Sequence, residues 1–145
     1  MKYVIDTNVV SEVAKPWPNE HVIDWFWDYG NDAYLSAITI EELYYEALIL
    51  PEGKRRDGLL EFVEAFVRDC RDKALFYDGF AAHLCAELRA KARRMGRSSS
   101  IEDYMIAAIC KANDATLATH NVKDFDYLGI EVIDPFDYIH PTNNS

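Results

Sequence analysis

A chain of 145 residues fits one domain and is long enough to bury a core of its own. Half of its residues are hydrophobic, with nine Tyr, seven Phe and three Trp, which excludes a disordered chain. The formal net charge of -10 excludes a passive binder of phosphate backbones, and it suits a protein that gathers carboxylates around a cation or meets a basic partner. Cys70, Cys85 and Cys110 are odd in number and form no C-x-x-C pair, so neither a disulfide framework nor a zinc site is indicated. Each lies in an apolar helical stretch and reads as a small buried thiol. No leader-like apolar stretch follows the first lysine and no run reaches membrane-spanning length, so a soluble, cytoplasmic chain is expected.

Tyr3-Val4-Ile5 is a short apolar run with β-branched members and reads as a buried strand. Asp6-Thr7-Asn8 interrupts it with three small polar residues. Asp6 therefore reads either as a helix cap or as a carboxylate at a strand's carboxyl end, where open α/β sheets bind ligands. Asn8 to Ala14 follows as a short helix that stops before Pro16-Trp17-Pro18. Asn19 can cap a second helix from Glu20 to Tyr29, closed by Gly30-Asn31. Trp25-Phe26-Trp27 on that helix are about 100° apart in succession, so they cannot all face one core, and at least one is expected to be exposed or covered by another chain.

Ala33 to Ile38 is the second expected strand. Thr39 with Glu42 has the spacing of a capping box for a helix over Ile40 to Leu50, which would put Glu42 in a first helical turn just past a strand. Lys54-Arg55-Arg56 reads as a solvated basic run, and Leu59 to Cys70 as an amphipathic helix. A third strand is expected at Ala74 to Tyr77, with Asp78 capping a long helix through Arg94. Lys91, Arg93, Arg94 and Arg97 form the densest basic cluster; it reads either as a complement to the helix dipole or as a phosphate-binding patch.

Ser99 with Glu102 makes a second capping box, and Asp103 sits in the first turn of a helix whose next residues, Met105 to Cys110, are apolar enough to be buried. Thr116 to Thr119 reads as the fourth strand, His120 to Phe125 as the polar loop after it, and Glu131-Val132-Ile133 as the fifth strand. The domain is expected over residues 1–139, with a loose tail over 140–145. Strands alternating with helices predict a parallel sheet with helices on both faces, and crossovers of one hand bring the strand carboxyl ends to one edge. Asp6, Glu42, Asp103 and Asn121 or Asp124 all fall at such ends. Converging carboxylates repel one another unless a cation joins them, and oxygen ligands without Cys or His indicate Mg²⁺ or Mn²⁺. Such a site suits hydrolysis of a phosphodiester.

In these residues the chain resembles the PIN-domain ribonucleases: Asp6-Thr7-Asn8, Thr39-x-x-Glu42-Leu43, Asp103 before Ile106-Ala107-Ala108, and Thr119-x-Asn121-x-x-Asp124-Phe125. Asp6 to Glu12, with Pro16-x-Pro18-Asn19-Glu20, is similar to the VapC and FitB toxins of bacterial toxin–antitoxin pairs. The resemblance runs from Tyr3 to Phe136. It implies α/β architecture with five parallel strands and a Mg²⁺-dependent endoribonuclease acting on structured RNA. Asp6, Glu42 and Asp103 are its implied catalytic positions, with Asp6 and Asp103 as direct metal ligands. The fourth family position, often Asp, is Asn121 here; Asn accepts hydrogen bonds but cannot neutralise charge, which weakens the case for a second metal. Asp124 is a further candidate.

The resemblance also implies a cognate antitoxin, itself DNA-binding, lying over the aromatic helices, and a homodimer through a separate helical face. Trp25 or Trp27 with Tyr45 are the expected antitoxin anchors. Two alternatives stay open from the residues alone. One is a phosphotransfer α/β domain, which also begins with a strand-end Asp but uses a second Asp that Asp6-Thr7-Asn8 lacks. The other is a non-catalytic partner of a DNA-binding antitoxin.

Overall fold

β1 (Tyr3–Ile5) is the middle strand of a five-stranded sheet in a computed structural model that describes residues 1–141. Its three side chains are buried and alternate between faces: Val4 joins one core cluster, Tyr3 and Ile5 the other. α1 (Thr7–Val13) and α2 (Glu20–Tyr29) follow, then β2 (Ala33–Ser36), α3 (Ala37–Leu48), α4 (Lys54–Asp69), β3 (Ala74–Leu75), α5 (Gly79–Arg94), α6 (Ile101–Ala112), β4 (Thr116–Ala118) and β5 (Val132–Ile133). Every pairing is parallel and the spatial order is β3-β2-β1-β4-β5. The chain thus builds outward from β1 in one direction and then returns to build in the other. The carboxyl ends of β1 and β4 flank the point of reversal, where open α/β sheets form a crevice.

Register fixes that crevice. Tyr3 pairs with Thr116 and Ile5 with Ala118, and the Asp6 N–H donates to the Ala118 carbonyl at 2.9 Å. On one face lie Val9 and Val10 of α1, Trp25 of α2, Leu43 of α3 and Val63 of α4. On the other lie Ala81, Cys85 and Leu88 of α5 and the run Ile106 to Cys110 of α6, with Phe125 and Leu128 sealing it from the β4–β5 connection.

Several local expectations are corrected. α3 starts at Ala37, not Ile40, and its cap is Ser36, whose Oγ accepts from the Thr39 N–H at 3.0 Å. Ala37 and Ile38 are therefore helical, and Glu42 sits in the second turn. Ser100, not Ser99, caps α6 by accepting from the Asp103 N–H at 3.1 Å. Ser99 is engaged elsewhere: its N–H donates to Tyr104 Oη, and its hydroxyl to the Asp124 carbonyl. The third strand is only two residues long, and α4 begins at Lys54, five residues before Leu59.

Cys85 and Cys110 are buried, but Cys70 at the end of α4 is only half-buried. Trp25 is 1 % exposed and packs edge-on against Tyr3 and Phe26, so it is a core residue and not an anchor for a partner. Trp27 is 88 % exposed. Of the segment 140–145, residues 142–145 lie outside the described residues, while His140 pairs through Nδ1 with the Asp28 carboxylate. No helix among the described residues is long and apolar enough to cross a membrane.

Candidate active site

Asp6 caps α1 and closes β1 at once. Its Oδ1 accepts from the Thr7 N–H at 2.9 Å, and its Oδ2 accepts from Thr119 Oγ at 2.7 Å and Asn8 Nδ2 at 3.2 Å. Both readings of this residue hold, because an N-cap at a strand's end is also a carboxylate at the crevice. The Thr119 hydroxyl has its one proton on Asp6 and accepts from Asn8 Nδ2 at 3.2 Å and the Asn121 N–H at 3.0 Å. Asn8 Oδ1 in turn accepts from the His120 N–H at 3.0 Å. The end of β1 is stitched to the end of β4 by side chains as well as backbone.

Asp6, Asn8, Glu42, Asp103 and Asn121 line one open cleft of about 370 Å³, with Glu12, Lys15 and Glu46 at its wall. Asp6 comes from just past β1, Glu42 from the second turn of α3, Asp103 from the first turn of α6 and Asn121 from just past β4. Four of the five expected site residues are therefore brought together. Asp124 does not line the cleft; it is exposed beside it, and its negative charge still raises the pKa of Asp6 and Asp103. Asn8 and Thr119, which hold Asp6, were legible only as members of the polar triplets around Asp6 and Asn121. Nothing in the sequence assigns Glu12 to the wall: its Oε1 pairs with Lys15 at 2.8 Å and its Oε2 accepts from the Asn19 N–H at 2.9 Å.

The charges in the cleft are strained by their company. Burial pushes Glu42 up to about 7, and the neighbouring Asp6 and Asp103 add to it. Burial raises Asp103 to about 6, again with Asp6 behind it, although Ser100 hydrogen bonds pull the other way. Asp6, 6 % exposed, is raised mainly by burial despite its three donors. Glu42 Oε1 is buried and has no hydrogen-bond partner. An orphaned carboxylate oxygen beside two more raised carboxylates fits a hard divalent cation in the cleft, since the donors are all oxygen. Among the described residues no three His, Cys, Asp or Glu side chains stand ready-made around one ion position, so the carboxylates would have to close on it.

The PIN domain family matches residues 3–130. The plasmid stability protein StbB of Pseudomonas syringae is 38 % identical over 136 residues, covering 92 % of this chain and 98 % of that protein. Toxin FitB of Neisseria gonorrhoeae is 33 % identical over 135 residues, 92 % of this chain and 97 % of FitB. The VapC ribonuclease Y4jK of Sinorhizobium fredii is 33 % identical over 136 residues, 92 % of this chain and 97 % of Y4jK. Among solved structures, FitAB bound to the IR36 DNA fragment contains a chain that superposes with a TM-score of 0.88 at 32 % identity, covering 96 % of this chain and 99 % of that one.

Proposed function

The chain belongs to the PIN-domain family, among toxins of the VapC/FitB type, and from that premise we propose that it is a divalent-metal-dependent endoribonuclease toxin held in check by a cognate antitoxin. The observation that carries this reading is the cleft itself. Asp6, Glu42 and Asp103 meet at the sheet's reversal point, two of them with pKa values pushed to about 7 and about 6. Asp6 and Asp103 would hold a Mg²⁺ or Mn²⁺ ion, with Glu42 and Asn121 beside it. When bound, such an ion supplies Lewis-acid and water-activating chemistry for phosphodiester hydrolysis.

The chain's own residues do the rest. Thr119, Asn8 and the Thr7 N–H keep the Asp6 carboxylate in one orientation and occupy all but one lone pair, on Oδ1, which is left for an ion. Glu42 Oε1, with no partner in the protein, can take the proton of the attacking water. Lys15 stands at the wall with Nζ on Glu12, a cation within reach of a substrate phosphate. Structured RNA is the proposed substrate class, since the cleft is open at the surface and can receive a looped backbone.

The antitoxin surface is proposed at the outer face of α3, where Tyr44, Tyr45, Leu48 and Ile49 line an apolar hollow of about 410 Å³. Tyr45 is 53 % exposed and Leu48 and Ile49 are exposed beside it, a patch of the kind that marks an interface. The net charge of -10 favours a basic segment there, and the antitoxin itself would bind DNA, as the FitAB complex does. A homodimer through another face is part of the same reading; Phe76 and Phe80, exposed just after β3, are among the large apolar groups available for it.

The test is cleavage of purified total RNA. The parent chain should cut in the presence of Mg²⁺ or Mn²⁺ and stop on chelation, and Asp103→Ala should be inert in the tube and harmless when expressed alone. Equal cleavage by parent and Asp103→Ala would sink the assignment.

A further inference from the structure

Arg89, Lys91, Arg93, Arg94 and Arg97 put five of the chain's 15 Lys and Arg residues into one short segment, on a protein whose net charge is -10. Three of them share one place. Arg89, Arg93 and Arg97, with Ser98, Ser99 and Tyr104, line an open groove of about 680 Å³ between the end of α5 and the start of α6. Arg89 and Arg93 are one helical turn apart, both exposed, and neither has a carboxylate partner among the described residues. Gly96, in the left-handed region at φ 70°, turns the chain out of α5 so that the Arg97 N–H donates back to the Ala92 carbonyl at 2.9 Å. That turn carries Arg97 into the same groove. The helix dipole accounts for cations in the last turn of α5, but not for Arg89, five residues before the helix's end, nor for Arg97 beyond it.

Arg97 is also held in place. Its guanidinium lies 4.2 Å from the centre of the Tyr127 ring, with Nη2 3.5 Å from the Lys123 carbonyl and 3.8 Å from Asp126. The Tyr127 hydroxyl touches Ser99 Oγ, which donates to the Asp124 carbonyl at 2.9 Å. The loop from Asn121 to Tyr127 therefore has the carboxylate cleft on one side and the arginine groove on the other. α6 joins them too, since Asp103 lines the cleft and Tyr104, the next residue, lines the groove.

We propose that the Arg89–Arg93–Arg97 groove is a phosphate track that holds the RNA backbone a short distance from the scissile bond, an inference that rests on the ribonuclease reading above. A cleft of carboxylates repels a polyanion, so a substrate of that charge needs cations nearby to reach it. Guanidinium groups offer paired donors to phosphate oxygens, and the Ser98 hydroxyl can add a neutral one. Contacts of this kind position a nucleic acid without reading its sequence.

The experiment measures binding of a fluorescently labelled, unfractionated tRNA pool to the Asp103→Ala chain, which removes turnover. Adding Arg89→Gln and Arg93→Gln together should weaken binding about 10-fold or more, and should lower the slope of log K against log salt by about 1.4, as for two lost single-strand phosphate contacts. Arg89→Lys with Arg93→Lys should keep the slope. Lys54→Gln with Arg55→Gln, the same charge change at the start of α4, should alter binding less than about 2-fold. An equal loss from that control pair would mean that net charge alone is at work and would overturn the track. So would unchanged tRNA affinity in the arginine pair, including the case in which that pair instead loses an acidic protein partner. Cleavage by the parent chain, run alongside, separates the two failures. An inert parent overturns the ribonuclease reading, whereas an active parent whose arginine variants still bind tRNA fully overturns the track alone.

Discussion

Thr119 gives its single hydroxyl proton to Asp6 Oδ2 at 2.7 Å, across the boundary between β4 and β1, residues 113 apart in the chain. The Thr119 hydroxyl oxygen accepts from Asn8 Nδ2 and from the Asn121 N–H, so one side chain orients the carboxylate and both flanking loops. Thr119→Val keeps the shape and removes these bonds. It should weaken Mn²⁺ binding and activity by about 10- to 100-fold, the usual effect of losing a group that orients a ligand. Thr119→Ser should restore most of both. Calorimetric Mn²⁺ titration of the three chains decides it, and a Thr119→Val chain that binds like the parent would remove Thr119 from the site.

The raised carboxylates predict an unusual pH dependence for the metal-free chain. Glu42, at about 7 against an ordinary 4.5, and Asp103, at about 6 against 3.8, both favour protonation in the folded state. Their contribution to stability is complete below the ordinary values and is lost as pH rises through about 6 and about 7. In chelator, Tm should therefore fall between pH 5 and pH 7.5. Both groups are partly open to solvent, so the loss should be on the order of 1 kcal/mol after screening. Glu42→Gln should flatten the slope; a Tm that is level across this range, or a slope unchanged by the substitution, would contradict the crowding of charge in the cleft.

Metal should reverse that cost. At pH 7.5, Mn²⁺ at about 100 times its Kd should stabilise the parent chain by about 2.7 kcal/mol. Asp6→Asn should be more stable than the parent without metal and should gain little from Mn²⁺. Thermal melts of both chains with and without the ion give the four values needed.

The two tryptophans on either side of Phe26 should behave oppositely. Trp25 fills the core, so Trp25→Ala should destabilise by about 3–5 kcal/mol, whatever partner is present. Trp27 stands in water, and Trp27→Ala should change stability by less than about 0.5 kcal/mol. Tyr45→Ala, on the proposed antitoxin face, should cost about 2 kcal/mol in antitoxin binding and little in stability. Urea denaturation and antitoxin titration of the same three chains separate the roles, and full antitoxin affinity in Tyr45→Ala would move the binding face away from α3.

The parallel sheet and the convergence of Asp6, Glu42, Asp103 and Asn121 were legible because apolar runs alternate with polar residues at every strand end. The exact caps were not. Ser36-Ala37-Ile38-Thr39 offers two hydroxyls at cap spacing, and the small apolar pair between them suits a strand or a helix equally. The serine triplet before α6 offers three, and the choice falls to Ser100 because Tyr104 and Asp124 already engage Ser99. Which tryptophan faces inward depends on the rotation of α2 about its axis, set by contact of Trp25 with Tyr3 of β1 and of Phe26 with Phe66 of α4, and invisible in the helical repeat alone. Asp124, read as a possible member of the site, lies exposed beside the cleft rather than in its lining, and its charge raises Asp6 and Asp103.

The order β3-β2-β1-β4-β5 has a consequence for synthesis on the ribosome. β1 is made first, yet one of its two neighbours, β4, is made after residue 115, and the Asp6 N–H finds its carbonyl only at Ala118. A nascent chain that has not yet released this last fifth has Asp6 and Glu42 but lacks Thr119 and Asn121, and its first strand has an open edge. Such a chain holds no finished centre. On the ribonuclease reading proposed above, the centre is therefore complete only once this C-terminal segment has been made and β4 has paired with β1.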